Sequence, residues 1–228
     1  MVLREYTMFR DRVRVFEDRR DAGRLLGEML VEYRDTGAIV LALPSGGVPV
    51  GTEVAKALNA ALDLLIVRKI QIPDNPEAGF GAITPDGTPI INKGLLAKLS
   101  LNKKAVEAQI NKAMESVKQR EGLFRKNRPY TSFQSKTVII VDDGLASGYT
   151  MLAAIRFVKR DTPEKVIVAV PTSSARAIDF ILEEADELFC ANIRTGYSFA
   201  VAEAYRNWYD LTEKEVLLEC NRFQSDDN

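Results

Sequence analysis

An α/β fold with a mainly parallel central sheet follows from two observations. Short, wholly apolar runs recur along the chain, and between them lie segments whose apolar residues fall at helical spacing. Strands apolar on both faces need helices on both sides of the sheet. In order, Asp21–Tyr33 forms a helix with Leu25, Leu26, Met29 and Leu30 on one face. Residues 39–43 form a buried strand, and Pro49–Ala61 a helix through Val50, Val54, Ala57 and Leu58. Residues 64–67 are the next strand. A helix from about Leu101 to Phe124 carries Val106, Ile110, Ala113 and Val117 inward. Strand 138–141, helix Thr150–Lys159, strand 166–170 and helix Ala175–Ala185 complete the alternation.

Two stretches break this rhythm. Residues 71–92 hold Pro73, Pro76, Pro85 and Pro89 with Gly79, Gly81 and Gly87, and Pro85-Asp86-Gly87 has the chemistry of a hairpin turn. A long insertion with its own hairpin is expected to act as a mobile lid. From residue 193 to 228, a C-terminal segment gathers Tyr197, Phe199, Tyr205, Trp208 and Tyr209, and it is expected to form a hood within a single 1–228 domain.

Composition narrows the chemistry. The 228 residues carry 31 Lys+Arg, 32 Asp+Glu and no histidine, for a net charge of −1. Bulk charge therefore gives no attraction to nucleic acid or to an anionic membrane. Without histidine there is no Ser-His-Asp triad, Cys-His pair, His-ligated zinc or imidazole proton shuttle. Cys190 and Cys220 are too isolated for a disulfide framework or a CxxC motif. No apolar stretch approaches the length of a membrane span, and a reducing cytoplasmic location is the expectation.

The most informative segment is Val138–Met151, VIIVDDGLASGYTM. A buried strand delivers Asp142 and Asp143 to its C-terminal end, where open α/β sheets bind ligands. A loop of small and hydroxyl residues then opens onto a helix, and its N–H groups form an anion cradle. Two acids beside such a cradle suit a sugar phosphate: the acids accept from vicinal hydroxyls while the loop holds the phosphate. Strand 39–43 similarly runs through Pro44-Ser45-Gly46-Gly47 into a helix, and strand 64–67 ends in Arg68-Lys69. Alone, either would pass for an ordinary strand end.

Together these segments resemble type I phosphoribosyltransferases, which bind phosphoribosyl pyrophosphate (PRPP). The likeness is closest to an uncharacterised branch. In that branch a DR-x-AG helix (here Asp18-Arg19-Arg20-Asp21-Ala22-Gly23), a VRKI strand end and an F-x-V-G-x-x-Y segment recur, with Ala202 here at the usual glycine. The resemblance implies a fold with a flanked, mainly parallel sheet and a reaction that transfers phosphoribose to a nitrogenous acceptor such as a nucleobase. Pyrophosphate would be released, with one or two Mg²⁺ ions as cofactor and few protein ligands to the metal. It assigns Asp142 and Asp143 to the ribose hydroxyls, and Ala146, Ser147, Gly148, Tyr149 and Thr150 to the 5′-phosphate. Ser45, Gly46 and Gly47 would take the pyrophosphate, with Arg68 and Lys69 as catalytic cations. Leu145, Pro171, Thr172, Tyr197 and Phe199 are expected to wall the acceptor pocket.

Ala146 occupies the position at which hypoxanthine–guanine-type enzymes carry an acid, so the loop looks more like the adenine or orotate type. The implied partners are PRPP, a small acceptor and a second copy of the chain, with no nucleic acid and no membrane. The competing expectation is a non-catalytic PRPP sensor, for which a basic patch of Arg10, Arg12, Arg14, Arg19 and Arg20 would matter. These arginines are expected instead to pair with Asp11, Glu17, Asp18 and Asp21, or to hold a neighbouring subunit.

Overall fold

The computed structural model describes residues 2–226. The first residue of the expected domain and the last two of the C-terminal segment lie outside the described residues. Six strands form one all-parallel sheet in the order β1-β9-β8-β7-β2-β3. They are β1 (Val2–Arg4), β2 (Ile39–Ala42), β3 (Ala61–Leu64), β7 (Thr137–Val141), β8 (Lys165–Ser174) and β9 (Glu187–Arg194). A separate antiparallel sheet holds β4 (Arg68–Ile72), β5 (Asn75–Ile83) and β6 (Pro89–Ile91). The helices are α1 (Arg19–Met29), α2 (Gly47–Leu58), α3 (Lys93–Leu96), α4 (Lys103–Arg120), α5 (Tyr149–Lys159), α6 (Ala175–Leu182) and α7 (Glu213–Asp226).

Alternation along the central strands explains the layering. Leu41, Ile140 and Val168 face α5 and α6, packing on Leu152, Ile155 and Ile178. Val40, Ile139 and Ile167 face the other way, onto Leu26 of α1, Leu30 just after it, and Val54 and Leu58 of α2. Each helix starts where its chemistry allows. The Asp18 carboxylate accepts from Asp21 N–H to cap α1, Asn102 caps α4 and Ser174 caps α6. Gly23 lets α1 lie hard against α2; a methyl group there would come within 2.7 Å of Val50 O.

The expected strand at 64–67 is displaced. The strand that joins the central sheet is Ala61–Leu64, whose outer residues are exposed because it lies at the sheet edge. Leu65, Ile66 and Val67 are buried because they carry the chain from that edge into the antiparallel sheet. Arg68 therefore begins a strand of the antiparallel sheet instead of ending a central one. Residues 71–92 are also more regular than expected: most of them belong to the three-stranded sheet. The foreseen turn is present, with Gly87 at φ +86° and Thr84 N–H donating to Thr88 O. Ile70, Phe80 and Ile83 pack on Val117 of α4 and on Phe124, which lies in a π-helical turn at Glu121–Arg125.

Candidate active site

The parallel sheet changes winding direction between β2 and β7, which are adjacent although far apart in sequence. Open α/β sheets form their ligand crevice at such a point. Here the two segments that leave these strands are pressed together. A methyl group on Gly46 would overlap the Asp143 carboxylate at 1.8 Å, and one on Gly47 would meet Val141 O at 2.7 Å. The Ser45-Gly46-Gly47 loop thus needs its glycines to approach the neighbouring carboxylates. Gly47 itself faces inward, its N–H donating to Leu43 O, so its backbone donor is already engaged.

Two adjoining cavities open at this crevice. One of ≈ 400 Å³ is walled by Asp142, Ala146, Ser147 and Thr150, with Gly79 and Gly81 of β5 opposite. The other, ≈ 520 Å³, holds Ser45, Gly46, Arg68, Asp143, Trp208 and Asp210. Lys69 and Val201 wall both. Among the described residues, the backbone N–H groups of Ala146, Ser147, Gly148, Tyr149 and Thr150 make no hydrogen bond. They gather at the start of α5, where Gly148 takes φ +79° to turn the chain into the helix. Unsatisfied donors at a helix N-terminus fit a phosphate.

The acids are held unequally. Asp143 Oδ2 accepts from Arg19 Nε at 2.9 Å, while Asp142 Oδ1 accepts from Asp143 N–H. Burial and the neighbouring Asp143 push the Asp142 carboxyl well above the usual carboxylate range. Burial also raises Asp143, but the Arg19 guanidinium opposes the rise. Arg19 is buried at 7% exposure, donates to Tyr209 O and lies 3.8 Å over the Trp208 ring. Tyr205 O–H donates to Asp143 O at 2.6 Å, and its ring packs on Trp208.

The remaining expectations divide. Lys69 and Arg68 reach the cavities, and burial together with Arg120 lowers the Arg68 guanidinium to about 10. Of the acceptor-wall candidates, Leu145 lines the smaller cavity. Pro171 and Thr172 lie beneath the loop, and the Thr172 hydroxyl donates to Asn192 Oδ1. Tyr197 stands fully exposed, and neither it nor Phe199 lines either cavity. The hood segment instead turns inward later, through Val201, Tyr205 and Trp208. Arg19 and Arg20 do not pair within the N-terminal acidic cluster: Arg19 takes Asp143, and Arg20 reaches Glu53 and Glu219. Arg10 pairs with Glu5. The DR-x-AG motif was the available sign of Arg19; its partner 124 positions away had no sign in the sequence.

Known proteins agree with this architecture. Two Mycobacterium tuberculosis proteins, named provisionally as phosphoribosyl transferases, are each 36% identical over 214 residues, covering 94% of this chain and 48% of theirs. This chain thus spans about half the length of those relatives. The crystal structure of TT1426 from Thermus thermophilus superposes with a TM-score of 0.73 at 32% identity, covering 91% of this chain and 98% of that one. Residues 17–206 match the phosphoribosyl transferase domain, and the chain belongs to that family.

Proposed function

We propose that the protein transfers the phosphoribosyl group of PRPP to a nitrogenous acceptor, releasing pyrophosphate. The observation that carries this reading is the run of unsatisfied N–H groups at Ala146–Thr150, one residue pair away from the Asp142–Asp143 carboxylates. That juxtaposition suits a 5′-phosphate joined to a ribose. In this reading the smaller cavity takes the phosphoribosyl part. Ser45, Gly46, Arg68 and Lys69 receive the pyrophosphate in the larger one.

The reaction breaks the bond from the anomeric carbon to pyrophosphate oxygen as an acceptor nitrogen bonds to that carbon. The leaving pyrophosphate keeps the electron pair, and the acceptor gives up its N–H proton to solvent or base. The chain's task is orientation, exclusion of water and stabilisation of departing charge. Arg68 and Lys69 suit the last of these. Among the described residues no group of three or more His, Cys, Asp or Glu could hold a metal. Mg²⁺ that entered with the diphosphate would therefore rely on few ligands from the chain. There it would offset the diphosphate's charge. The acceptor side belongs to Val201, Trp208, Asp210 and Leu211, with Asp210 suited to an acceptor N–H.

Calorimetry with PRPP and Mg²⁺ tests the site. The wild type should bind, and the Asp142→Asn, Asp143→Asn double variant should lose binding by at least about tenfold, since each side chain loses its charge and one of its two acceptor oxygens. Unchanged affinity in the double variant rejects the assignment. PRPP-dependent pyrophosphate release, screened across nucleobases and small amines, tests the activity. Intact binding with no turnover on any acceptor would support a PRPP sensor instead.

A further inference from the structure

Three elements meet behind the pyrophosphate loop. Arg120, at the end of α4, donates from Nη1 to Ser45 Oγ at 3.3 Å. Its Nη2 stands 3.9 Å from Oε1 of Glu213, the first residue of α7. Arg68 lies close enough for Arg120 to repel it and for Glu213 to attract it. Arg68 Nε is buried with no hydrogen-bond partner among the described residues. The Arg120 side chain is 17% exposed and that of Glu213 is 56% exposed. Two guanidinium groups therefore face one loop, and Glu213 offsets them through one long, solvent-facing contact with Arg120 and a weaker, longer-range attraction on Arg68. A buried donor with no acceptor costs free energy, as does a pair of like charges. An anion in the Ser45–Arg68 cavity would relieve both.

We infer that Glu213 stands in for the anionic ligand in the free protein, and that an incoming diphosphate draws Arg68 and Arg120 away from it. Arg120 is then a positioning residue: it holds the Ser45 hydroxyl and adds positive potential behind Arg68 without lining the cavity. Exchange of one anion for another also makes α7 responsive to the ligand, because Glu213 opens that helix. The inference rests on the proposed placement of pyrophosphate, and it goes further by giving the free site an internal competitor.

The two roles predict opposite signs. Glu213→Gln removes the competitor and should tighten binding of inorganic pyrophosphate and of PRPP with Mg²⁺ about two- to fivefold, the scale of an exposed ion pair. Arg120→Gln should weaken both, and Arg120→Lys, which keeps the charge, should recover part of the loss. Ribose 5-phosphate, which occupies only the other cavity, should bind all four proteins alike. Calorimetry on the full chain, with melting curves to verify that each variant is folded, provides the measurement. If Glu213→Gln binds pyrophosphate no tighter, or tightens ribose 5-phosphate equally, the inference is overturned while the proposed function stands. If the wild type binds neither PRPP nor pyrophosphate, both are overturned.

Discussion

Asp143 shows how much one residue at the crevice must satisfy. Its carboxylate accepts from Arg19, its backbone oxygen accepts from Tyr205, and its side chain leaves room only for a glycine at position 46. Gly46→Ala should therefore displace either the loop or the carboxylate. We expect a loss of PRPP affinity of at least about tenfold with a stability cost of about 1–3 kcal/mol, the usual range for overpacking. Calorimetry and urea unfolding would measure the two, and unaltered affinity would show that the loop accommodates a methyl group. Arg19→Gln tests a different requirement, since it leaves two adjacent carboxylates without their cation. It should weaken PRPP binding when measured without Mg²⁺ and do so less with it, because a divalent ion on the diphosphate replaces part of the lost charge. The Asp-Asp-Gly run and the glycine-rich loop were legible because a strand end with those residue types has few other uses. Arg19 was legible only as part of a motif, because what brings it to the crevice is a contact with Asp143, 124 positions away.

At the scale of elements, periodicity located all five helices expected around the sheet, but it did not locate every strand. Residues 64–67 were the most apolar part of their segment, and apolarity reports burial, whereas sheet membership depends on neighbours. Thus the half-exposed Ala61–Leu64 pairs with β2, and the wholly buried residues after it form the crossing into the antiparallel sheet. Strand β9 was missed for a related reason: buried Asn192 and Cys190 interrupt its apolar pattern, and Asn192 is tolerated there through hydrogen bonds to Thr172, Phe9 and Arg12. The π-helical turn after α4 is tied to the edge of the central sheet by Arg125, which is 1% exposed. It pairs with Asp63 and Glu121, donates to Leu64 O and lies over the Tyr130 ring. Arg125→Leu strands two acids and a carbonyl, so it should cost about 3–5 kcal/mol, as other broken buried pairs do. Urea unfolding would measure this, and a cost below about 1 kcal/mol would mean that this turn is held mainly by its apolar contacts.

For the whole molecule, the near-neutral charge conceals a site whose charges are arranged for an absent ligand. Asp142 and Asp143 are both raised, chiefly by burial, so the folded chain retains protons that the unfolded chain releases. The stability they contribute is present at and below ordinary carboxylate pKa values. It is lost as pH rises from the ordinary carboxylate range through the elevated values, because over that interval the unfolded chain has released protons that the folded chain still holds. The free protein should accordingly lose stability as pH rises above the ordinary carboxylate range, and Asp142→Asn should flatten that slope. The same substitution should stabilise the free protein at neutral pH by about 1–2 kcal/mol while removing affinity for PRPP, a trade common at binding sites. Melting curves across that range would reveal a pH-independent difference instead if the pair does not titrate.

The aromatic cluster under Arg19 has a practical consequence. Trp208 is the only tryptophan in the chain, it walls the larger cavity, and its ring lies between a guanidinium and a tyrosine. Indole emission depends on nearby charge and on access of water, so the site carries its own unlabelled reporter. That emission comes from one position only, and any ligand that disturbs Arg19 or fills the cavity should alter it.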